Sequence, residues 1–349
     1  MPHTLFTPGP TPVPDAVLQS IALPVIHHRS PEAQAIISAV NSGLQELFHT
    51  RSAVLALTCS ATGAGEAIIT SLHSHGEKVL VLNNGRFAAR WGAMLRTFGM
   101  NVTELTDEWG MPADTGALAA HLKQNTGYAT VWLTHSETST GALSNLREVA
   151  RIVKESSDAL LCVDGVSSVA VHEIRMDEWG IDALFTGSQK GLMLPPGLAF
   201  VALSTSAQRR MATADLPSYY FDLRRAYQSA AANTTPWTPA ITLLRGAVTA
   251  IHMIRTEGIE NVWLRHANNA AYLRKRLTDA GYSLFSSSRR FAHRRLHSRR
   301  THHTCRRPSY TIRHPCGQRT GTPSRSHHPH RSLRQLHTVR HGIYCRCNG

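Results

Sequence analysis

At 349 residues the chain is long enough to bury a large core and to form two domains. It contains no run of eighteen apolar residues, and its opening, "MPHTLFTPGPTPVP", has no basic segment running into an apolar one. Neither a membrane span nor a secretory leader is therefore expected, and the expected compartment is the cytoplasm. The formal charge of +14 would suggest nucleic acid or an acidic partner if it were evenly spread, but it is not. The stretch from Arg289 to Gly349 holds fifteen Arg and no Lys, Asp or Glu, and taking these from the 37 Lys+Arg leaves 22 against all 23 Asp+Glu in residues 1–288, a net charge of −1.

Residues 1–20 are expected to be an extended segment, with 5–14 too rich in Pro and Gly for regular structure. "SPEAQAIISAVNSGLQELFHT" (30–50) predicts a helix, with Ser at the N-cap, Pro at the first helical position and apolar residues at helical spacing. A strand over 53–60 and a helix from 63 follow, then strand 78–85, helix 86–99 and strand 101–106. Next come helix 114–124, strand 128–137, helix 145–156 and strand 159–165. A strand pair, Ile181 to Phe185 and Leu198 to Leu203, flanks Lys190. Helical sequence from Ala240 to about Asp279 is interrupted at Gly258, and "GYSLFSSS" (281–288) is expected to begin a further strand. Helices alternating with near-continuous apolar strands indicate an α/β fold, a mostly parallel sheet with helices on both faces.

In such a sheet, ligands bind at the carboxyl ends of the strands. After "AVLALT" comes a small-residue turn, Cys59 to Gly65, opening a helix whose bare N–H groups suit a phosphate. Many helices open on small residues, so the turn alone does not decide. Asp164 ends the strand "LLCV", where it could cap the next turn or hold the protonated ring nitrogen of pyridoxal phosphate. Lys190 lies 26 residues further on, in "TGSQKGLMLPPG". It could be a surface lysine on a hairpin, or an amine whose pKa is lowered by burial so that it can form a Schiff base.

Together "TPGPTPVP", "TCSATGAGEA", "NNGRFAARW", "LTHSETSTGAL", "VDGVSSV" and "TGSQKGLMLPPGLAF" resemble the class V pyridoxal-phosphate aminotransferases, in their alanine/serine–glyoxylate group. The resemblance covers residues 4 to about 285 and implies fold type I, pyridoxal 5'-phosphate as cofactor and a homodimer. It implies Lys190 as the Schiff-base lysine and proton carrier, and Asp164 as the partner of the ring nitrogen. Phe87 is implied to stack on the ring and Thr138 to approach its hydroxyl. Ser60, Ala61, Thr62 and Gln189 match phosphate positions, while Thr238, beside Trp237, matches a segment offered to the partner subunit's phosphate. His27, His28 and Arg29 match a stretch near the substrate entrance, though a solvated basic turn reads as well, and His135 reads as a packed strand-end histidine.

The implied organisation is a large cofactor-binding domain over 21–257, the start of a small C-terminal domain over 258–288, and a tail over 289–349. The family's small domain supplies an arginine that grips the substrate carboxylate in bidentate fashion. That arginine has no counterpart before the tail, which holds ten of the 21 His and four of the six Cys. Only seven of its 61 residues are Ile, Leu, Val or Phe, so disorder is expected there. Its cysteines and histidines show no convincing metal-ligand spacing, and its Arg-, His-, Ser- and Pro-rich composition is that of a gene read in a shifted frame.

The expected reaction is amino transfer from alanine or serine to glyoxylate, with a small amino acid and a 2-oxo acid as partners, no membrane, no nucleic acid and no metal. The alternatives are transamination of a phosphonate or other small amine, and a cysteine desulfurase. The desulfurase fits less well because no His precedes Lys190. An alternative of another class is a non-catalytic protein acting through a basic nucleic-acid-binding tail.

Overall fold

The computed structural model describes residues 5–286. In chain order the elements are α1 (Asp15–Ile21), α2 (Pro31–Phe48), β1 (Val54–Leu57), α3 (Ala61–Leu72), β2 (Lys78–Asn83), α4 (Arg86–Thr97) and β3 (Asn101–Thr106). There follow α5 (Thr115–Gln124), β4 (Tyr128–Thr134), β5 (Ser136–Glu137), β6 (Ala142–Leu143), α6 (Leu146–Ser156) and β7 (Leu160–Asp164). The series ends with α7 (Met176–Trp179), β8 (Ala183–Gly187), β9 (Ala199–Leu203), α8 (Thr205–Arg210), α9 (Leu223–Ala230), α10 (Ile241–Glu257) and α11 (Ile259–Asp279).

Seven strands form one sheet in the order β1-β9-β8-β7-β4-β2-β3, and β5 and β6 make a separate antiparallel pair. The neighbours from β8 through β7, β4 and β2 to β3 are parallel, while β9 runs antiparallel to both β8 and β1. The fold is thus the expected α/β type with a mostly parallel sheet. Side-chain alternation along the strands divides the core in two. Leu80, Val131, Leu133, Leu161, Val163 and Leu184 face α2, α5, α6 and α10. Val79, Val81, Trp132, Cys162 and Phe185 face α3, α4, α8 and α9. Both faces are covered, which is why these strands read as continuous apolar runs rather than alternating ones.

Local chemistry sets several helix ends. Ser30 Oγ accepts from Ala33 N at 3.2 Å, with Pro31 next in line, to start α2. Asp114 starts α5 by accepting from Gly116 N and Ala117 N. Asn145 does the same for α6 at Glu148 N. Gly258, at φ 85°, separates α10 from α11 in the left-handed region where a side chain would be strained.

Four expectations are corrected. The segment 1–20 is not wholly extended, because α1 begins at Asp15 and buries Val17. The strand expected over 53–60 is only Val54–Leu57, the length that pairs with β9, and α3 starts at Ala61 rather than 63. The strand expected over 128–137 ends at Thr134, where its pairing with β7 ends, and Ser136–Glu137 turns into the β5–β6 pair. Residues 281–286 form no strand: no sheet edge pairs with them, and Ser286 Oγ donates instead to Gly141 O at 2.9 Å. The described residues lie in one compact unit that continues across the boundary expected at 258. The expectations for the tail fall outside the described residues.

Candidate active site

At the carboxyl ends of β4, β7 and β8 the sheet opens into a cleft of about 260 Å³. Lys190 reaches it from the turn after β8, and the "PPG" beyond explains how. Ser188 holds both sides of that turn: its Oγ donates to Pro195 O at 2.7 Å and accepts from Leu198 N at 3.2 Å. Ser188 N donates to Leu198 O and Leu194 N to Ser188 O, so the loop closes tightly enough to push Lys190 outward. Gly191 permits this packing, since a Cβ there would collide with the carbonyl of Val169. The half-buried amine donates to Pro8 O at 3.3 Å. Burial lowers its pKa from the usual lysine value, partly offset by the nearby Asp164.

Asp164 ends β7 and is buried. Its Oδ2 accepts from Trp91 Nε1 and its Oδ1 from Val166 N, both at 2.9 Å. Burial pushes its pKa up to about 6 even though both hydrogen bonds act the other way. A carboxyl group held this close to neutral is a ready site for a cation that would keep it ionised. Trp91 itself is packed edge-on against Phe185, with ring centroids 5.1 Å apart.

The other walls come from helix starts and strand ends. Ser60, Ala61 and Thr62 border the cleft at the first turn of α3, where Ser60 makes no side-chain cap. The N–H groups of Ala61 and Thr62 have no acceptor among the described residues. Phe87 lines the cleft from α4, with the Arg90 guanidinium 4.9 Å from its ring centroid, and Arg90 Nη1 donates to Thr62 Oγ1 at 3.2 Å. Thr138 and Gln189 line it as well. Two buried acceptors on the lining, Gln189 Oε1 and Thr134 Oγ1, have no hydrogen-bond partner among the described residues.

The structure therefore gathers Ser60, Ala61, Thr62, Phe87, Thr138, Asp164, Gln189 and Lys190 around one cavity. Thr238 is not among its lining residues; it is exposed beside Trp237, whose ring stacks on Tyr219 at 5.1 Å. His27, His28 and Arg29 do not line the cleft either, and His27 and Arg29 are exposed. His135 is buried at the end of β4, its pKa pushed down to about 3 by burial, and is packed rather than presented. Trp91, Arg90 and Thr134 also border or brace the cleft, though nothing in their local sequence marks the last two. Trp91 could have been found from its place four residues after Phe87, on the same helix face.

A phosphate-sized helix start, a buried carboxyl group and a desolvated lysine around unpartnered acceptors fit pyridoxal 5'-phosphate. With this α/β frame they define a pyridoxal-phosphate aminotransferase of fold type I. The chain belongs to the class V aminotransferases, whose family profile matches residues 3–348. A soluble hydrogenase 42 kDa subunit from Anabaena cylindrica is 40% identical over 285 residues, covering 81% of this chain and 74% of that protein. An L-aspartate–glyoxylate aminotransferase from Paracoccus denitrificans is 38% identical over 286 residues, covering 81% and 72%. Among solved structures, an alanine–glyoxylate aminotransferase from Nostoc sp. superposes with a TM-score of 0.76 at 30% identity, over 82% of this chain and 78% of that one. No helix among the described residues is long and apolar enough to cross a membrane.

Proposed function

We propose that the chain transfers an amino group from alanine or serine to glyoxylate, with Lys190 as the lysine that bonds the cofactor and carries the proton. The observation that carries this reading is the placing of two titratable groups, Lys190 and Asp164, in one cleft with opposite tasks. Burial moves the amine towards its neutral, nucleophilic form and makes the carboxyl group responsive to a nearby cation.

Pyridoxal phosphate, when bound, supplies an aldehyde that takes up the amino group and a ring that draws electron density from the bond being broken. The chain's residues do the rest. The α3 amides of Ala61 and Thr62, with Ser60 and Gln189, hold the phosphate at a helix start. Phe87 and Thr138 would flank the cofactor ring, and Asp164, aimed by Trp91 and Val166, would hold the proton on its nitrogen. Lys190 Nζ would hold the proton removed from the substrate carbon, since its amine, partly desolvated in the cleft, can accept one. The glyoxylate-linked relatives support the acceptor; alanine or serine as donor rests on the likeness of the cleft motifs.

A homodimer is part of the same proposal. The exposed Tyr219 and Tyr220 stack on Trp237 next to Thr238, a surface suited to a second copy of the chain. We also attribute residues 289–349 to a shifted reading frame. Their composition supports this, and the extension of the family match to residue 348 opposes it.

The experiment assays glycine formation from glyoxylate with alanine, serine or aspartate as donor. It uses the chain as written, and the chain with residues after 288 replaced by the alternative frame. Alanine or serine is expected to serve as donor, and restoring a carboxylate-gripping segment is expected to raise turnover about a hundredfold. Equal turnover from both chains would refute the shifted frame. Alanine formation from cysteine, with sulfide released only when a thiol reductant is added and no glycine formed, would replace the aminotransfer to glyoxylate with a desulfurase activity.

A further inference from the structure

We propose that Glu137 is a positioning residue that fixes both walls of the cofactor cleft. The proposal rests on the reading above, in which Phe87 and Thr138 flank the cofactor ring. Glu137 is fully buried, yet both its oxygens are occupied by the protein. Its Oε2 accepts from Phe87 N at 2.9 Å and Ala88 N at 3.0 Å, the first turn of α4. Its Oε1 accepts from Ser139 N at 3.0 Å and Ser139 Oγ at 2.6 Å, in the turn that carries Thr138. One carboxylate thus joins the helix bearing Phe87, Arg90 and Trp91 to the strand end bearing Thr138.

Only a carboxylate offers two oxygens that both accept and never donate. Its charge also suits the amino end of a helix, where the peptide dipoles converge. The approach is close enough to dictate Gly85. A Cβ there would lie 2.5 Å from Glu137 Cγ, although the backbone, at φ 166°, is extended and open to any residue. Gly85 is thus required by its contact with Glu137 rather than by its backbone angle. Ser139 completes the junction by accepting from Arg86 N at 3.1 Å while donating to Glu137.

Three variants probe this. Glu137→Gln keeps the shape but turns an amide N–H₂ towards one of the two donor pairs, releasing one wall. Gly85→Ala displaces Glu137 without altering any of its four partners. Ser139→Ala, at an exposed position, removes the 2.6 Å bond to Glu137 and the one Ser139 Oγ accepts from Arg86 N, leaving the three backbone bonds to Glu137 in place. Each protein is titrated with pyridoxal phosphate, and visible circular dichroism is measured per bound cofactor, a readout of how firmly the ring is held. Glu137→Gln and Gly85→Ala are expected to weaken cofactor binding about tenfold, the size of one lost charge-assisted contact, and to halve the dichroism. Ser139→Ala is expected to act in the same direction at about threefold. If the first two do not fold, Ser139→Ala decides alone. Wild-type affinity and dichroism in the folded variants, whatever their thermal midpoints, would overturn the role of Glu137. A wild-type chain that takes up no pyridoxal phosphate would instead overturn the reading of the cleft.

Discussion

The two ends of the central sheet treat buried polar groups in opposite ways. Near the amino ends, the groups around His73 and Asp182 have protein partners. Thr130 Oγ1 takes Trp132 Nε1 at 3.0 Å and donates to His73 Nε2 at 2.8 Å, while His73 Nδ1 donates to Ile69 O at 3.0 Å. Asp182 accepts from Leu161 N at 3.0 Å and Ser204 Oγ at 2.7 Å. At the carboxyl ends, Thr134 Oγ1 and Gln189 Oε1 are buried without partners among the described residues, and Asp164 and Lys190 both have shifted pKa values. An unpaired buried acceptor is costly, so leaving several in one place marks where a ligand completes the bonding. The chain from Trp132 to Ile69 is closed by the protein itself, whereas the set around Lys190 is left open.

That contrast is tested most strongly by Asp164→Asn. The amide keeps the size and can still accept from Trp91, but it loses the charge proposed to hold a proton on the ring nitrogen. Turnover is expected to fall about a thousandfold, roughly 4 kcal/mol of barrier, while cofactor affinity falls far less, because the phosphate contacts and Lys190 remain. Lost activity fully explained by lost cofactor would mean that Asp164 has no electronic part.

A smaller effect separates the two ends through acid stability of the cofactor-free protein. His73, with its pKa pushed down to about 4 by burial, stays neutral in the fold while the unfolded chain takes up a proton below the usual 6.5. It therefore costs stability as pH falls from 6.5 towards 4, about 2 kcal/mol at pH 5. Asp164 acts in the opposite sense. Its folded pKa of about 6 lies above the ordinary 3.8, so between these values the native state holds a proton that the unfolded chain has lost. Acidification through that window stabilises the fold, by about 1 kcal/mol between pH 7 and pH 5. Urea unfolding at pH 7 and pH 5 should thus show a steeper acid loss in Asp164→Asn than in wild type, by about that amount. An equal or shallower loss would mean that the carboxyl group is not held near neutrality.

Much of this was legible in the sequence because it rests on local rules. Apolar runs marked β2, β4, β7, β8 and β9, and Ser30, Pro31 and Gly258 marked helix limits. The residues 26 apart, Asp164 and Lys190, do meet at one cleft, since adjacent parallel strands deliver their carboxyl ends side by side. What was not legible depends on distant partners. Glu137 sits among Ser and Thr like a solvated residue, and only the approach of α4 makes it a buried junction. The helix α1 has a single buried residue, Val17, too little for a period to show. Residues 281–286 have strand-like composition but pair with no strand.

The central claim is that Lys190 is the amine that captures the cofactor. The direct measurement is to load the purified chain with pyridoxal phosphate, reduce with borohydride, digest, and locate the phosphopyridoxyl group by mass spectrometry. The account predicts a single predominant adduct on the peptide containing Gly187-Ser188-Gln189-Lys190, absent in Lys190→Ala. A predominant adduct on any other lysine, or the same visible band and adduct yield in Lys190→Ala, would contradict it.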